Sequence, residues 1–493
     1  MIEQPFARFA TTPSAVSTWL GWHALLGAVL CSICLLAMAH TASATDLATP
    51  LGRIGLTPLQ QQTGEAVNTV CPQLGELASR TPAQQDLFDR CGNMVGNAFE
   101  LEGLTGGPRD KSLGLSQEAL AAAVQTVANE ELAATKATTT DIAGSQLNAG
   151  IARLHAVRSG TQFGLASLPG RDWNRLASLE PDHGTRALGA GAGDPLGKHW
   201  GFFLNGRYGS GDRAGTDREN AFDYNRWGLT AGTDVRLSPA VVLGGLLSFN
   251  QIDSDFEPNP AAPGGSIEAD NWGLGLYGTF YRDAFYLDGL IGYNKTSYDL
   301  KRRILLPLGS DFDETNPTVQ ATDRIAIGAT DSDNISLSLG TGLDLQHNLI
   351  NYGPYARLTY LRINIDGYDE QGAFGLNLTV DEQNWSSFTS VIGARASAAL
   401  SQSWGVMIPQ LRLGWSHEFK NDARQFEAFY TVDPNRHLLL ARTDDPDRNY
   451  LELGLSLSAV LPFGLQTFAD YQRLLAHQFI NEHVVTLGIR AEI

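Results

Sequence analysis

The feature that most constrains this chain is a regular alternation of apolar and polar side chains through residues 198–493. Within it, for example, Ile335, Leu337 and Leu339 are separated by Ser336 and by a second serine. Successive side chains of a β-strand point to opposite faces, so a period of two gives each segment one apolar face and one polar face. The C-terminal three fifths of the chain is therefore predicted to be β-structure.

Twelve segments of this kind can be counted, and bacterial outer-membrane barrels contain an even number of strands. The segments are 198–208, 222–236, 240–255, 266–281, 284–304, 333–346, 350–366, 386–401, 405–418, 449–461, 464–476 and 480–493. The expected fold is an all-β membrane protein, a twelve-stranded antiparallel transmembrane β-barrel, preceded by a short and mostly helical N-terminal region.

The connections between these segments alternate in length, with turns of two or three residues following loops of ten or more. Outer-membrane barrels have short periplasmic turns and long outer loops, so the pattern assigns a side to each connection. The connection 477–479 is the exception, because it is short but falls on the outer side. The long connections are predicted at 209–221, 256–265, 305–332, 367–385 and 419–448.

Aromatic residues bracket two of the apolar rows and support a lipid-facing outer surface. Trp272 and Phe280 are eight residues apart, as are Tyr352 and Tyr360. Eight residues at about 3.3 Å each, tilted by about 40°, project to roughly 20 Å, close to the height of the apolar band on such barrels. These four residues are predicted to lie at the two membrane interfaces.

The polar faces of the same segments would line the lumen, and they carry charges of both signs. One interpretation is that these charges pair with each other; the other is that some of them bind a helix threaded through the pore. The candidate lumen residues are Arg207, Arg226, Asp234, Asp344, Arg357, Arg395, Arg412, Glu418, Glu452 and Arg490.

Overall charge and hydropathy exclude two other classes of protein. With 35 basic and 53 acidic residues the formal net charge is 35 − 53 = −18, whereas nucleic-acid binders need a basic face to displace counterions from phosphate. A helical membrane bundle needs several apolar runs of about 20 residues, and only Trp19–Ala39 qualifies.

That apolar run has the features of a secretory signal peptide. It is followed by Ala42, Ser43 and Ala44, a small-x-small pattern that signal peptidase recognises. Residues 1–44 are therefore expected to be a signal peptide cleaved after Ala44. The alternative is an uncleaved membrane anchor of the same length.

Two cysteines follow the expected cleavage site, Cys71 and Cys91, and a pair in an exported protein predicts a disulfide. Apolar residues recur at helical spacing around both cysteines, and Thr81-Pro82 resembles the start of a second helix. Residues 45–115 are expected to form a short helical unit with its two helices joined by this disulfide. A metal site is disfavoured because further Cys or His ligands do not accompany the pair.

Residues 116–197 separate this unit from the β-structure. Residues 116–159 are predicted to be helical with an interruption at Thr138–Thr140, and residues 160–197 are predicted to be a linker rich in Gly, Ala, Leu and Pro.

Residues 198–493 resemble the translocator β-barrel of the autotransporter family, which belongs to type V secretion. The stretches that carry the resemblance are Tyr355–Glu370 (YARLTYLRINIDGYDE) and Ile408–Asp422 (IPQLRLGWSHEFKND). Leu147–Arg158 (LNAGIARLHAVR) is similar to the segment that precedes the barrel in that family.

The resemblance implies a barrel in the outer membrane of a Gram-negative bacterium, a helix in its pore and an N-terminal passenger carried to the cell surface. Two features depart from the family. The chain ends in Ile493, where an aromatic residue is usual, and residues 45–115 do not contain the repeated rungs of a long β-helical passenger.

The sequence does not carry a recognisable catalytic motif. His417-Glu418 is not followed by a second His at helical spacing, and Gly-x-Ser-x-Gly and Gly-Lys-Ser/Thr motifs do not occur. No enzymatic activity, catalytic residue, cofactor or metal is therefore expected. The predicted function is a conduit and anchor for the chain's own N-terminal segment; the alternatives are a porin or structural pore, or a surface adhesin.

The expected partners follow from this location. They are outer-membrane lipid and lipopolysaccharide, the outer-membrane assembly machinery and periplasmic chaperones, with no nucleic acid. The protein is expected to be a monomer.

Overall fold

The computed structural model describes residues 49–128, 131–161, 200–259, 262–420, 423, 425–445, 447–461 and 465–492. The predicted signal peptide with its cleavage site at Ala44 and most of the predicted 160–197 linker lie outside these residues. Among the described helices, none is both long and apolar enough to cross a membrane.

Five α-helices precede the barrel in the described part of the chain. They are α1 Pro50–Ile54, α2 Pro58–Glu76, α3 Pro82–Leu101, α4 Gln117–Thr126 and α5 Glu131–Thr161, with a 3₁₀ turn at Arg109–Lys111. Thr57 and Thr81 form capping boxes with Gln60 and Gln84, which satisfy the first amide groups of α2 and α3. The start predicted at Thr81-Pro82 is confirmed.

The predicted interruption at Thr138–Thr140 is wrong, because α5 continues through it. The helical path instead breaks between α4 and α5, after Thr126. The helix propensity of threonine is only about 0.5 kcal/mol poorer than that of alanine, so three threonines do not stop a long helix that is held from outside.

The twelve-stranded antiparallel barrel is confirmed, and the described strands close into a ring because β1 pairs with β12. We number the barrel strands in chain order: β1 Trp200–Arg213, β2 Phe222–Ser238, β3 Val241–Phe256, β4 Gly265–Arg282, β5 Phe285–Leu306, β6 Thr322–Leu343, β7 Ile350–Ile365, β8 Gln383–Ala398, β9 Gly405–Glu418, β10 Asn449–Val460, β11 Leu465–Leu475 and β12 Ile480–Glu492. Closure leaves no strand edge exposed to lipid, where backbone groups would lack hydrogen-bond partners.

Most strand bounds agree with the prediction within a few residues, and β6 is the main exception. It begins at Thr322, which pairs with Leu306 at the end of β5. The two strands therefore extend into residues 305–332, which were predicted to be a loop. The hairpin continues because its inner face is buried: Ile304, Leu306 and Ala326 belong to a hydrophobic core that they share with the N-terminal helices. Local alternation could not reveal that contact.

The two ends of the barrel differ. One end, here the short-turn end, carries the connections 239–240, 283–284, 344–349, 399–404 and 461–464, together with the start of β1 and the end of β12. The other, the long-loop end, carries 214–221, 257–264, 307–321, 366–382 and 419–448, together with the short connection 476–479.

Several long loops contain structure of their own. Four short strands form a small antiparallel sheet above the barrel, with two of them in the β7–β8 loop and two in the β9–β10 loop. These strands are Tyr368–Asp369, Leu378–Val380, Gln425–Tyr430 and Leu439–Arg442. The sheet gives the long-loop end a firm surface on which other elements can pack.

Helices α1 to α4, residues 50–128 and here called the cap, pack on this surface. Leu74 and Leu87 of the cap share one hydrophobic core with Leu306 of β5 and with Leu376 and Tyr430 of the loops. The cap is therefore joined to the barrel by a continuous buried core.

The predicted disulfide between Cys71 and Cys91 is present and joins α2 to α3, with the two Cα atoms 5.6 Å apart. Both cysteines are buried in the same core.

Candidate functional site in the barrel lumen

Helix α5 traverses the lumen from the long-loop end to the short-turn end. Near its start, Ala134 is buried beside Phe222 and Tyr298, which lie at the long-loop end of β2 and β5. Near its end, Arg158 pairs with Asp288, four residues into β5 from the short-turn end. The two ends of α5 therefore lie at opposite ends of the barrel.

Polar side chains on two strands, β3 and β5, bind the middle of α5. Asn294 of β5 donates to Gln146 Oε1 at 2.8 Å and to Asn334 Oδ1 of β6 at 2.9 Å. Ser145 Oγ donates to Asn250 Oδ1 of β3 at 3.3 Å. Buried polar groups need such partners, so these bonds set both the depth and the rotation of the helix in the pore.

Glycines allow α5 to approach this wall closely. A Cβ on Gly292 of β5 would lie 2.4 Å from Gln146 Oε1, and a Cβ on Gly150 of α5 would lie 2.1 Å from Leu290 Cδ1. Both distances are well below van der Waals contact, so larger residues would force the helix away from the strands.

A bidentate ion pair holds the second half of α5. Arg153, 1 % exposed, donates to the two carboxylate oxygens of Asp234 on β2 at 2.5 and 2.8 Å. The Tyr277 hydroxyl donates to the same carboxylate at 2.9 Å. Parallel guanidinium–carboxylate bonds of this kind are among the strongest in proteins and fix geometry as well as energy.

A second charged cluster lies one turn further along the helix. Arg158 pairs with Asp288 and lies 3.7 Å from an oxygen of Asp344. Arg395 pairs with Asp344 and also contacts His155 of α5. The predicted lumen charges Asp234, Asp344 and Arg395 therefore contact the pore helix directly.

Arg490 of β12 also reaches the helix: its guanidinium donates to the Ala152 carbonyl at 3.4 Å and stacks over the Phe468 ring at 4.0 Å. Two other predicted lumen arginines pair between strands, Arg226 with Glu482 and Arg412 with Asp470.

The predicted carboxylates Glu418 and Glu452 bind hydroxyl groups of neighbouring strands. Glu418 accepts from Ser387 and Thr389, and Glu452 accepts from Ser416 at 2.6 Å. Arg207 and Arg357 line a cavity described below.

Sequence reasoning missed several partners of these charges. Asp288, Asp470 and Glu482 lie on the inward faces of β5, β11 and β12, so the alternation that identified the other lumen charges could also have identified them. Arg153 and Arg158 lie on α5, where no comparable pattern shows which residues point at which strand.

The lumen has two dissimilar sides. Strands β3 to β7, here the helix-packed wall, lie against α5. Strands β8 to β12 and β1, here the open wall, face α5 across a cavity of about 460 Å³, and only near the end of the helix do the described Arg395 of β8 and Arg490 of β12 reach it. Leu147, Ile151 and His155 of α5 face this cavity, whereas the described cap residues do not line it.

The predicted interface aromatics face outward. Trp272, Phe280, Tyr352 and Tyr360 are all among the exposed large side chains of the barrel. Others that were not predicted extend the outer ring: Trp227 and Phe249 have ring centroids 5.3 Å apart, and Phe249 and Trp272 are 4.8 Å apart. Such aromatic girdles flank the apolar band of outer-membrane barrels.

Charged contacts add to the hydrophobic core between cap and barrel. Asp86 of α3 accepts two hydrogen bonds from Arg324 of β6, at 2.5 and 2.9 Å, and one from the Gly375 amide at 3.2 Å. Partial burial alone would raise the pKa of Asp86, but the hydrogen bonds and positive charge of Arg324 outweigh it and hold that pKa below its usual value.

A buried pair lies beside this contact. Arg302 of β5 binds both oxygens of Glu370, at 3.0 and 2.5 Å, and donates to the Thr126 carbonyl at the end of α4 at 3.1 Å. The cap is thus fixed to the barrel at both α3 and α4.

Comparison with known families identifies the β-structure. The family profile described as Autotransporter beta-domain matches residues 202–472, more than half of the chain.

Among curated proteins, Outer membrane protein A of Rickettsia rickettsii is 27% identical over 205 residues, covering 41% of this chain and 9% of the relative. The Extracellular serine protease of Serratia marcescens is 23% identical over 224 residues, covering 45% of this chain and 19% of the relative. The chain thus spans less than a fifth of the length of these relatives.

Among solved structures, the translocator domain of the autotransporter NalP from Neisseria meningitidis is similar, with a TM-score of 0.45, 15% identity and coverage of 59% of this chain and 88% of that one. The beta domain of the Bordetella autotransporter Brka has a TM-score of 0.41 and 21% identity, and covers 60% of this chain and 99% of that one.

Proposed function

This chain belongs to the autotransporter beta-domain family, and we propose that its barrel, in the outer membrane of a Gram-negative bacterium, conducts the cap to the cell surface and anchors it there. The role is one of translocation and attachment, without catalysis. The cap in this proposal extends through residue 128, so it includes α4 as well as the helices predicted within 45–115.

The observation that carries the proposal is the path of α5. The barrel begins at Trp200 at the short-turn end, whereas the cap lies at the long-loop end, and α5 runs through the pore between the two ends. If the short turns face the periplasm, as they do in outer-membrane barrels, the cap lies outside the cell.

Two features support permanent attachment. The cap shares a hydrophobic core with the barrel loops, and α5 is fixed by buried ion pairs such as Arg153–Asp234. Breaking a buried pair by removing one partner costs about 3–5 kcal/mol, so withdrawal of the helix would be strongly opposed.

Surface labelling tests the proposal with a matched pair of cysteine variants. Ser79 is exposed on the cap, and His347 is exposed in a connection at the short-turn end. We expect a membrane-impermeant maleimide to label Ser79→Cys on intact cells, and to label His347→Cys only after the outer membrane is permeabilised.

Labelling of His347→Cys but not Ser79→Cys on intact cells would reverse the orientation and overturn the proposal, and so would protection of both. Protease treatment of cells carrying an epitope tag after Asp46 gives a second readout. Loss of the tag while the barrel stays intact supports display, and protection of the tag until permeabilisation contradicts it.

A further inference from the structure

We propose that Arg362 and Lys420, on the outer surface of the barrel at its long-loop end, bind a phosphate group of lipid A, the phosphorylated lipid anchor of lipopolysaccharide. The inference rests on the orientation in the proposed function, which places the long-loop end in the outer leaflet. It goes beyond that function because it assigns a specific lipid headgroup to two residues of the outer surface.

Arg362 of β7 points away from the lumen. Its neighbours Leu361 and Ile363 are buried on the inner face, whereas Arg362 and Tyr360 are exposed. Because side chains of a strand alternate between faces, Arg362 lies on the outer surface, two residues beyond Tyr360 toward the long-loop end. Ser386 of β8 is directly opposite Arg362 and therefore lies on the same face.

Lys420, which follows β9, reaches the same position. Its ammonium group donates to Ser386 Oγ at 2.6 Å and lies 5.4 Å from the centroid of the Tyr360 ring. Side chains directly opposite each other have Cβ atoms about 4.5–5.5 Å apart, so the bond to Ser386 places this ammonium group beside the Arg362 side chain. Ser386 and Lys420 also border the lumen cavity, so the two cations lie near the rim of the barrel.

Neither cation has a carboxylate partner. Among the residues that the structure describes, Arg362 makes no side-chain hydrogen bond or ion pair, and Lys420 makes no ion pair. The carboxylates of Asp333 on β6 and of Glu382, just before β8, instead accept hydrogen bonds from asparagine side chains at 3.1 and 2.8 Å. A phosphate group could therefore bind both cations without displacing an ion pair.

Aromatic side chains accompany the two cations. Phe388 of β8 is directly opposite Tyr360, and its ring centroid lies 5.1 Å from that of Phe419, which is exposed. Aromatic girdles mark the level of the lipid headgroups in outer-membrane barrels. The cations thus lie at the height where lipid phosphates are found, beside rings that can contact the first carbons of the acyl chains.

The outer surface of β3 and β4 has the opposite charge at the same end. Asp253 lies directly opposite Glu268, Asp255 follows on the same face, and all three are exposed. Neighbouring carboxylates repel a phosphate, whereas the donor fork of arginine and the ammonium group of lysine both bind one well. The charge of the outer surface therefore directs the phosphate to the side formed by β7, β8 and β9.

The test is native mass spectrometry of the full chain in detergent, titrated with diphosphorylated lipid A. We expect saturable binding to the intact protein. Affinity should fall about fivefold for each cation removed, in R362Q and K420Q, and roughly 30-fold in the double variant. Dephosphorylated lipid A should bind the intact protein as weakly as diphosphorylated lipid A binds the double variant.

The matched control is K295Q/K301Q, which removes two positive charges from the same outer surface. These lysines already pair with carboxylates, Lys295 with Asp331 at 3.4 Å and Lys301 with Glu268 at 3.1 Å. The affinity of this variant for lipid A should remain within a few-fold of that of the intact protein. Heat-modifiable mobility on gels checks that each variant forms the barrel.

Three results would overturn the proposal: R362Q/K420Q binding lipid A as tightly as the intact protein, K295Q/K301Q losing affinity equally, or the intact protein binding dephosphorylated lipid A or phosphatidylglycerol as tightly as diphosphorylated lipid A. Should the double variant not fold, the comparison of headgroups on the intact protein supplies the readout. Binding in detergent does not depend on how the barrel is inserted, so failure here is distinguishable from reversed labelling of the cap.

Discussion

The two walls of the lumen differ in how their polar side chains find hydrogen-bond partners. The helix-packed wall uses glycines such as Gly292 and amides such as Asn294 to bring α5 into contact. The open wall keeps long charged side chains and pairs several of them between strands, as in Arg412 of β9 with Asp470 of β11. A single helix is too narrow to fill a twelve-stranded barrel, so side-chain size decides which wall it packs against.

The cap extends this asymmetry beyond the membrane. Its barrel contacts include Arg302 of β5, Arg324 of β6 and the β7–β8 loop, above the helix-packed side. The mouth of the cavity is formed instead by other loop residues, including Glu219, Asp444 and His477. The β9–β10 loop takes part in both, because its Tyr430 belongs to the core shared with the cap and its Asp444 lines the cavity.

Removal of the pore helix is expected to have the largest effect on the difference between the two walls of the lumen. Deleting residues 131–161 merges the cavity with the space left by α5, so single-channel conductance in planar bilayers should rise strongly. High conductance of the intact protein, unchanged by the deletion, would instead favour a diffusion pore. Resistance of the barrel to unfolding in SDS without heating is the control for folding.

Replacement of Asp234 by alanine tests the contact between α5 and the barrel. It leaves the buried Arg153 without its carboxylate, so the free energy of unfolding in detergent should fall by about 3–5 kcal/mol. The matched control is Asp323→Ala, whose ion pair with Arg303 is exposed, and no measurable change is expected there. Equal effects of the two variants would contradict the assigned role of burial.

Loss of the disulfide tests the cap alone. The linked cysteines are 20 residues apart, and closing a loop of that size contributes about 3 kcal/mol in the chain-entropy model. Cys71→Ser/Cys91→Ser should therefore make the cap more susceptible to limited proteolysis, while the heat-modifiable mobility of the barrel is retained. Unchanged proteolysis rates would show that the shared core alone stabilises the cap.

The smallest expected effect is the pH dependence of cap docking. Docking lowers the pKa of Asp86, so its contribution is fully present above the usual aspartate pKa and is lost as the pH falls through the lowered value. Proteolysis of the cap by an acid-active protease should accelerate in that acidic range. Asp86→Asn should accelerate proteolysis at neutral pH and weaken the further acceleration at acidic pH. If the rate of proteolysis of Asp86→Asn depends on pH as it does in the intact protein, other carboxylates cause the pH dependence.

The sequence by itself determined the barrel. The strand number, the antiparallel order, the inward charges such as Arg226 and the outward aromatics such as Trp272 all follow from the two-residue period of the pleat, which is a local property. The disulfide and the start of α3 were also readable, because capping and cysteine pairing depend on short stretches of chain.

Only the tertiary structure decided how the helices meet the barrel. The contact of Arg153 with Asp234, the extension of β6 under the cap and the cavity beside α5 depend on how the helices sit in and on the closed ring. Those quantities come from contacts between residues far apart in the chain, and local alternation carries no information about them.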